Sequence, residues 1–254
     1  MRIHVLGAYG GESLECRVTS LLVNGKLALD AGSLSRALSV EEQQGIRAVV
    51  ISHSHWDHTN SLPFFIENIY STADAPIEVY ASAETIASIR AHLFNDSTWP
   101  DFTRLPTDLL PAVRFRELVA GVEVEIQGVR LTPIPVNHPV PTFGFLLRGG
   151  RQSVLWSSDT GPTAKLWEVA NRTEDLAAIC IDTSFDNALQ PVADVSGHLT
   201  PRTLALELEK LERSVPILLH HLKPPSVAKI RDEVRRLERA EIDYLEQGKV
   251  YQFS

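Results

Sequence analysis

Three histidines and an aspartate crowd into His53-Ser54-His55-Trp56-Asp57-His58, directly after the β-branched run Val49-Val50-Ile51. Metal binding gives a chemical reason for so dense a string of imidazole and carboxylate. In extended backbone, residues two apart point the same way, so His53 and His55 can grip one ion. Asp57 and His58 point elsewhere and can grip a second. Nitrogen and oxygen donors suit zinc, manganese or iron, and with no thiolate the site need not be soft. The two cysteines, Cys16 and Cys180, are too few for a disulfide framework or a multi-cysteine zinc site, and their apolar contexts predict buried free thiols.

Other candidate ligands also follow apolar runs directly. Ile134-Pro135-Val136-Asn137 leads into His138, Val154-Leu155-Trp156-Ser157-Ser158 into Asp159, and Ile217-Leu218-Leu219 into His220-His221. Strand ends converge along one edge of a sheet, where α/β proteins place their sites. Singly, each is an ordinary strand-end residue, and Asp159 in Ser158-Asp159-Thr160-Gly161 is also a good turn former. Beside the triple-histidine string they mark one site. His220 should point to the opposite side of its strand from His221, and His4 and His92 have no partner pattern.

The rest of the chain reads as strands in two batches separated by helical patterns, hence two sheets rather than one doubly wound sheet. Asn24-Gly25 predicts a tight hairpin between strands at 18–23 and 26–31. Helices are expected at 60–71, 83–94 and 164–171. Another opens at Pro201 behind the N-cap Thr200 and runs to about 211, and a last one spans 226–241. Residues 242–253 read as a closing hairpin through Gly248. One domain over 1–254 carries an irregular insertion at about 95–112, with three prolines, Trp99 and Phe102. It is a lid or contact segment, or a self-packed surface loop. The composition, 44% apolar and 22% charged, excludes wholesale disorder. The net charge of −8 lacks the diffuse basic character of a general nucleic-acid binder. No apolar run is long enough for a signal peptide or membrane span, so no membrane association and a cytoplasmic location are expected.

Asp30-Ala31-Gly32, the string from His53 to His58, His138, Asp159 and a late histidine together resemble the metallo-β-lactamase fold superfamily over nearly the whole chain. The resemblance implies an α/β fold, a four-layer αββα sandwich of mixed sheets, with two divalent metals at one edge of the β layers. The metal is expected to be zinc, with manganese or iron as alternatives. His53, His55 and His138 would hold the first ion, Asp57, His58 and His221 the second, and Asp159 would bridge both. Asp30 matches a position that supports the ligand loop. Zinc β-lactamases fit poorly, since many carry cysteine where this chain has Asp159. Flavo-diiron proteins have glutamate in place of His55.

The C-terminal third narrows the branch. The segment Ala178 to Phe185, Ser196-Gly197-His198-Leu199-Thr200 and Leu219-His220-His221-Leu222-Lys223-Pro224 resemble elements of class II cyclic-nucleotide phosphodiesterases, a branch that also contains the tRNA 3′-processing endonuclease RNase Z. RNase Z usually carries a basic, glycine-rich arm between the ligands matched here to His138 and Asp159. This chain has only 20 residues there, filled by two short strands and a turn at Gly149-Gly150. A small phosphodiester such as 3′,5′-cAMP is therefore the expected substrate, with no nucleic-acid partner. A hydroxide bridging the two ions would attack phosphorus. Asp159 would position it, His198 would contact phosphate or protonate the leaving oxygen, and Asp182 would orient His198. The alternatives are an RNase Z-like nuclease without the arm and a non-catalytic nucleotide-binding member. The resemblance further implies a homodimer. Trp56 stands where a smaller aliphatic residue is expected; it narrows the pocket, stacks a base or packs under the loop.

Overall fold

Apolar residues at both phases of a period-two pattern mean a strand buried on both faces. In the computed structural model, which describes residues 1–107 and 109–254, that pattern feeds three separate cores. Val5, Leu21, Val23, Ala48 and Val50 of one sheet meet Phe145, Leu147, Val154, Trp156, Ala178 and Cys180 of another. Their neighbours in sequence turn the other way. Leu6, Leu22 and Val49 pack under Leu34, Leu62, Phe65 and Ile89, and Leu146, Leu155, Ile179 and Leu219 pack under Leu166, Trp167, Leu204 and Ile230. The result is the expected order of helix, sheet, sheet, helix.

Among the described residues each large sheet has seven strands. The first runs, in spatial order, Val250–Gln252, Arg2–Gly7, Ser20–Val23, Leu27–Leu29, Ala48–Val50, Ile77–Ala81 and Val113–Glu117. The second runs Ile242–Tyr244, Ile217–His220, Leu176–Asp182, Gln152–Trp156, Phe143–Gly149, Val129–Pro135 and Val124–Ile126. Both are half antiparallel and half parallel. In the first, pairing is antiparallel as far as Leu27–Leu29 and parallel beyond. In the second, it is parallel from Ile242–Tyr244 to Gln152–Trp156 and antiparallel beyond. Parallel strands bring their C-terminal ends to one edge, and the residues that follow Leu27–Leu29, Ala48–Val50, Gln152–Trp156 and Ile217–His220 gather there. Asn24 and Gly25 make the expected hairpin, with φ of 51° and 72°.

The structure corrects several local readings. Residues 242–253 form no hairpin: Ile242–Tyr244 pairs parallel to Ile217–His220, while Val250–Gln252 pairs antiparallel to Arg2–Gly7. Each short strand closes an edge of a different sheet. The last helix covers only Val227–Arg235, and the chain then turns so that Ile242 reaches its edge. The helix expected at 60–71 is present but shorter, Leu62–Ile69, with Pro63 in its first turn, and an unexpected short helix, Trp56–Thr59, precedes it. In the segment 95–112, where Asp108 lies outside the described residues, Phe102 and Ala112 are buried beside Phe94, and Trp99 packs against that core. Its exposed apolar side chains are Leu105, Leu109 and Leu110. Cys180 is buried, and burial pushes its thiol up to about 12; Cys16 is only half-buried. No helix among the described residues is long and apolar enough to cross a membrane.

Gly32 shows how tightly the strand ends are joined. Its N–H donates to Thr19 O at 3.1 Å, and the preceding Ala31 N–H donates to His58 O at 2.8 Å. A Cβ on Gly32 would lie 2.2 Å from Asp57 O and 2.6 Å from Thr19 O, both backbone atoms that cannot swing away. Gly32→Ala should therefore cost stability at the upper end of the ~1–3 kcal/mol range for overpacking. Thermal unfolding should shift down by roughly 5–10 °C for a chain of this size; an unchanged Tm would mean that the strand ends can part.

Candidate metal centre

The chain enters the centre through an extended stretch that becomes a helix. His55 is the N-cap of Trp56–Thr59, with extended φ and ψ of −61° and 150°. His53 and His55 therefore precede the helix, while Asp57 and His58 turn away on its first turn. The structure gathers His53, His55, His138 and Asp159 in one group, and Asp57, His58, Asp159 and His221 in a second. Within each, candidate donor atoms lie within 4.8 Å of one another. His138 Nε2 is 3.1 Å from His55 Nδ1, and His58 Nε2 is 3.3 Å from His221 Nε2. Asp159 belongs to both groups: Oδ2 is 3.7 Å from His53 Nε2 and 3.2 Å from His221 Nε2, and Oδ1 is 3.2 Å from His58 Nε2. Every residue of the expected ligand set is in one of these groups.

The nitrogens that face away are held too. His58 Nδ1 donates to Asp30 Oδ2 at 2.8 Å. Asp30 is fixed in turn by Ser52, whose N–H donates to Oδ1 at 2.7 Å and whose hydroxyl donates to Oδ2 at 2.9 Å. His138 Nδ1 donates to Gly197 O at 3.0 Å. His53 Nδ1 and Ser52 Oγ are 3.0 Å apart, and His221 Nδ1 and Ser184 Oγ 2.9 Å apart. Such partners fix which nitrogen faces a metal and how the ring is turned. Asp30, Ser158 and His221 sit at φ of 57°, 54° and 65°. Non-glycine residues rarely adopt this left-handed region, and here each stands where a strand end turns into the centre.

The electrostatics fit a cation. Burial works against charge on Asp159, but His221 and His58 outweigh it and hold the carboxyl well below its ordinary range. For His58 burial is likewise outweighed, by Asp159 and Asp30, and its proton is held far more tightly than usual. Burial, then the neighbouring His58, drive His53 well down, so it is neutral and its lone pair is free. His53 Nε2 and Asp159 Oδ1 are buried and make no hydrogen bond. Two orphaned polar atoms aimed into an all-nitrogen-and-oxygen donor set are what divalent metal ions would satisfy. An ion at His58 would displace its proton and take over its charge.

Beside the centre, His198 Nδ1 donates to Asp182 Oδ2 at 2.6 Å. Asp182 also accepts from Thr160 N–H at 3.1 Å and from the Ser184 hydroxyl at 2.6 Å. Burial is outweighed by Asp182 in raising the His198 pKa. His198 lies parallel to His221, with ring centroids 5.3 Å apart, two residues before the N-cap Thr200, whose hydroxyl accepts from Thr203 N–H. His220 points away from the centre and stacks on Trp156 at 3.9 Å; burial pushes its pKa down to about 3. His4 is partly buried and His92 is exposed, both away from the cluster. Trp56 is exposed, so it does not pack under its loop.

Sequence reading gave no role to Ser52 or Gly10, nor to Ser184 and Lys223, although the last two lie in segments that carry the resemblance. A Cβ on Gly10 would lie 2.5 Å from His221 Nδ1, and Lys223 Nζ is 3.6 Å from Asp57 Oδ2. One signal was available for the serines, since small hydroxyl residues immediately after buried strands have few other reasons to be there.

Residues 21–221 match the model of the beta-lactamase superfamily domain. The chain is 30% identical over 277 residues to a "Probable 3′,5′-cyclic-nucleotide phosphodiesterase" of Yersinia pestis, covering 86% of this chain and 77% of that one. Its fold is similar to that of unliganded yeast PDE1, with a TM-score of 0.82, 18% identity and 98% of each chain covered. It is also similar to the short form of human tRNase Z, with a TM-score of 0.69, 17% identity and 99% of each chain covered.

Two groups sharing Asp159 predict two metal ions per chain. Elemental analysis of metal-replete protein should approach that ratio, and Asp57→Ala should bring it towards one, since Asp57 belongs to one group only. Asp30→Asn puts an amide against His58 Nδ1 and should weaken the second ion by about 10- to 100-fold, the usual effect of losing such a partner; competition with a chelator measures it.

Proposed function

The chain belongs to the β-lactamase superfamily, in the phosphodiesterase branch represented by its Yersinia pestis relative, and we propose that it is a dinuclear metal-dependent phosphodiesterase acting on a small cyclic nucleotide such as 3′,5′-cAMP. The observation that carries this reading is the pair of donor groups sharing Asp159, with the His198–Asp182 pair beside them. His53, His55, His138 and Asp159 would hold one ion, and Asp57, His58, His221 and Asp159 the other, with zinc suited to both. When bound, the ions supply Lewis acidity and a water nucleophile at neutral pH.

The chain's own residues supply orientation and proton transfer. The Asp159 carboxylate reaches both donor groups and sits where it would orient the attacking oxygen. In-line attack forms one P–O bond and breaks the bond to the leaving sugar oxygen. A 3′,5′-cyclic substrate opens to the 5′-monophosphate when the 3′ oxygen leaves. That oxygen needs a proton, and in this reading His198 would give it. Asp182 occupies Nδ1, which leaves Nε2 as the atom that meets substrate. A small substrate is favoured because the interval from His138 to Asp159 folds as the antiparallel strands Phe143–Gly149 and Gln152–Trp156, and because a net charge of −8 is a poor match for a polyanion. A homodimer belongs to this reading through the resemblance; light scattering that returns 28.2 kDa at micromolar concentration would remove it.

Turnover of the metal-replete protein against cAMP, cGMP, 2′,3′-cyclic nucleotides and pre-tRNA tests the reading. Cleavage of pre-tRNA alone would favour the nuclease, and metal uptake without cleavage of any phosphodiester would mark a binding protein. His198→Ala should keep both metals, because His198 is in neither group that shares Asp159. Its turnover should fall by roughly 10²–10⁴, the range for losing a general acid, and by much less on a diester that expels p-nitrophenolate. Equal losses on good and poor leaving groups would make His198 a phosphate-binding residue.

A further inference from the structure

The short helix that carries Asp57 and His58 also carries an exposed aromatic surface that hydrolysis of a phosphodiester does not require. Trp56 lies between His55 and Asp57, whose side chains belong to different donor groups, yet Trp56 is itself 60% exposed. The other tryptophans are placed differently: Trp156 and Trp167 are fully buried, and Trp99 packs against the core. Trp56 opens onto a groove of about 350 Å³ that Phe64, Glu12 and Arg36 also line. Phe64 is 52% exposed and is held edge-on by Trp99, with ring centroids 4.9 Å apart.

Both walls of this groove come from segments that also reach the centre. Trp56 and Asn60 lie one turn apart, at the start and the C-cap of the helix that carries Asp57 and His58. Glu12 follows closely after Gly10, which lies against His221. Glu12 pairs with Arg36, so the groove holds a carboxylate and a guanidinium as well as the indole. A flat apolar face and hydrogen-bonding groups in one groove, one residue along the chain from candidate ligands of both groups, match a heteroaromatic base joined to a phosphate.

We propose that Trp56 is the shelf on which the substrate's base stacks, so that the enzyme selects phosphodiesters bearing a nucleoside over those bearing only an alkyl group. The proposal rests on the phosphodiesterase reading above and adds which part of the substrate this chain recognises. Stacking tolerates any base, since every base has a π face. Trp56 thus separates nucleosides from alkyl groups rather than one base from another.

Two diesters with the same leaving group isolate the effect: a nucleoside 5′-(p-nitrophenyl phosphate) and methyl p-nitrophenyl phosphate. The wild-type enzyme should prefer the nucleoside ester. Trp56→Ala should reduce that preference by about 10- to 100-fold, the usual cost of removing one stacking partner, chiefly through KM, and Trp56→Phe should keep most of it. Nucleoside monophosphate should also quench the emission of wild-type protein but not of Trp56→Phe, and methyl phosphate should quench neither. That measurement needs no turnover and decides the matter if Trp56→Ala loses metal. An equal loss on both esters, or no quenching, overturns the shelf and leaves the phosphodiesterase reading intact. A dimer that dissociates in Trp56→Ala with the preference unchanged also overturns it, making Trp56 a contact between copies. Failure of metal-replete wild-type protein on both esters and on the cyclic nucleotides overturns the phosphodiesterase reading, while quenching still reports on the shelf.

Discussion

A carboxylate taken out of water costs several kcal/mol unless something of opposite charge meets it. Asp159 is 1% exposed, and what meets it comes from both halves of the molecule: His53 and His58 follow the first sheet, and His221 follows the second. The two sheets share an apolar core, and the hydrophobic attraction between them is non-directional. The Asp159 cluster adds directional contacts between specific atoms. His58 brings a second buried carboxylate, Asp30, and Asp30 brings Ser52. The centre therefore acts as a polar lock between layers that hydrophobic burial alone would leave loosely registered.

Much of this was legible in the chain. The convergence of His53, His55, Asp57, His58, His138, Asp159 and His221 could be read because each stands just beyond an apolar run, and parallel strands place such positions at one edge. The hairpin at Asn24-Gly25 was equally plain, since its signal is local. Pairing over long distances was not. Gly248 between two short runs carries the same local signal as a hairpin turn, and nothing nearby in sequence tells Ile242–Tyr244 to join Ile217–His220 and Val250–Gln252 to join Arg2–Gly7. The segment 95–112 could be read as a lid, a contact or a self-packed loop, because what Trp99 and Phe102 touch is not local: Phe102 is buried beside Phe94, and Trp99 packs on Phe64.

The layout also separates two kinds of demand on the same edge. His53, His58, Asp159 and His221 are almost fully enclosed, and their outer atoms are bonded. A rigid donor set holds ions without reorganising. Trp56, Phe64, Glu12 and Arg36 lie at the surface, on short helices and a loop. Change is tolerated there, because few buried contacts depend on it. The donor groups are thus held by the strand ends, and the groove by what is draped over them.

The pairing of His4 with Val250 has a consequence for biosynthesis. A ribosome delivers Arg2–Gly7 long before Val250–Gln252, and Ser20–Val23 covers only one side of it. Until Val250–Gln252 emerges, the other side is an open row of amide and carbonyl groups, the kind of edge that recruits strands from neighbouring chains. All seven residues of the two donor groups have been synthesised by His221, so the metal-binding layer can assemble while that flank is still bare. The newborn molecule passes through a stage that is chemically furnished but adhesive, and Val250–Gln252 closes it.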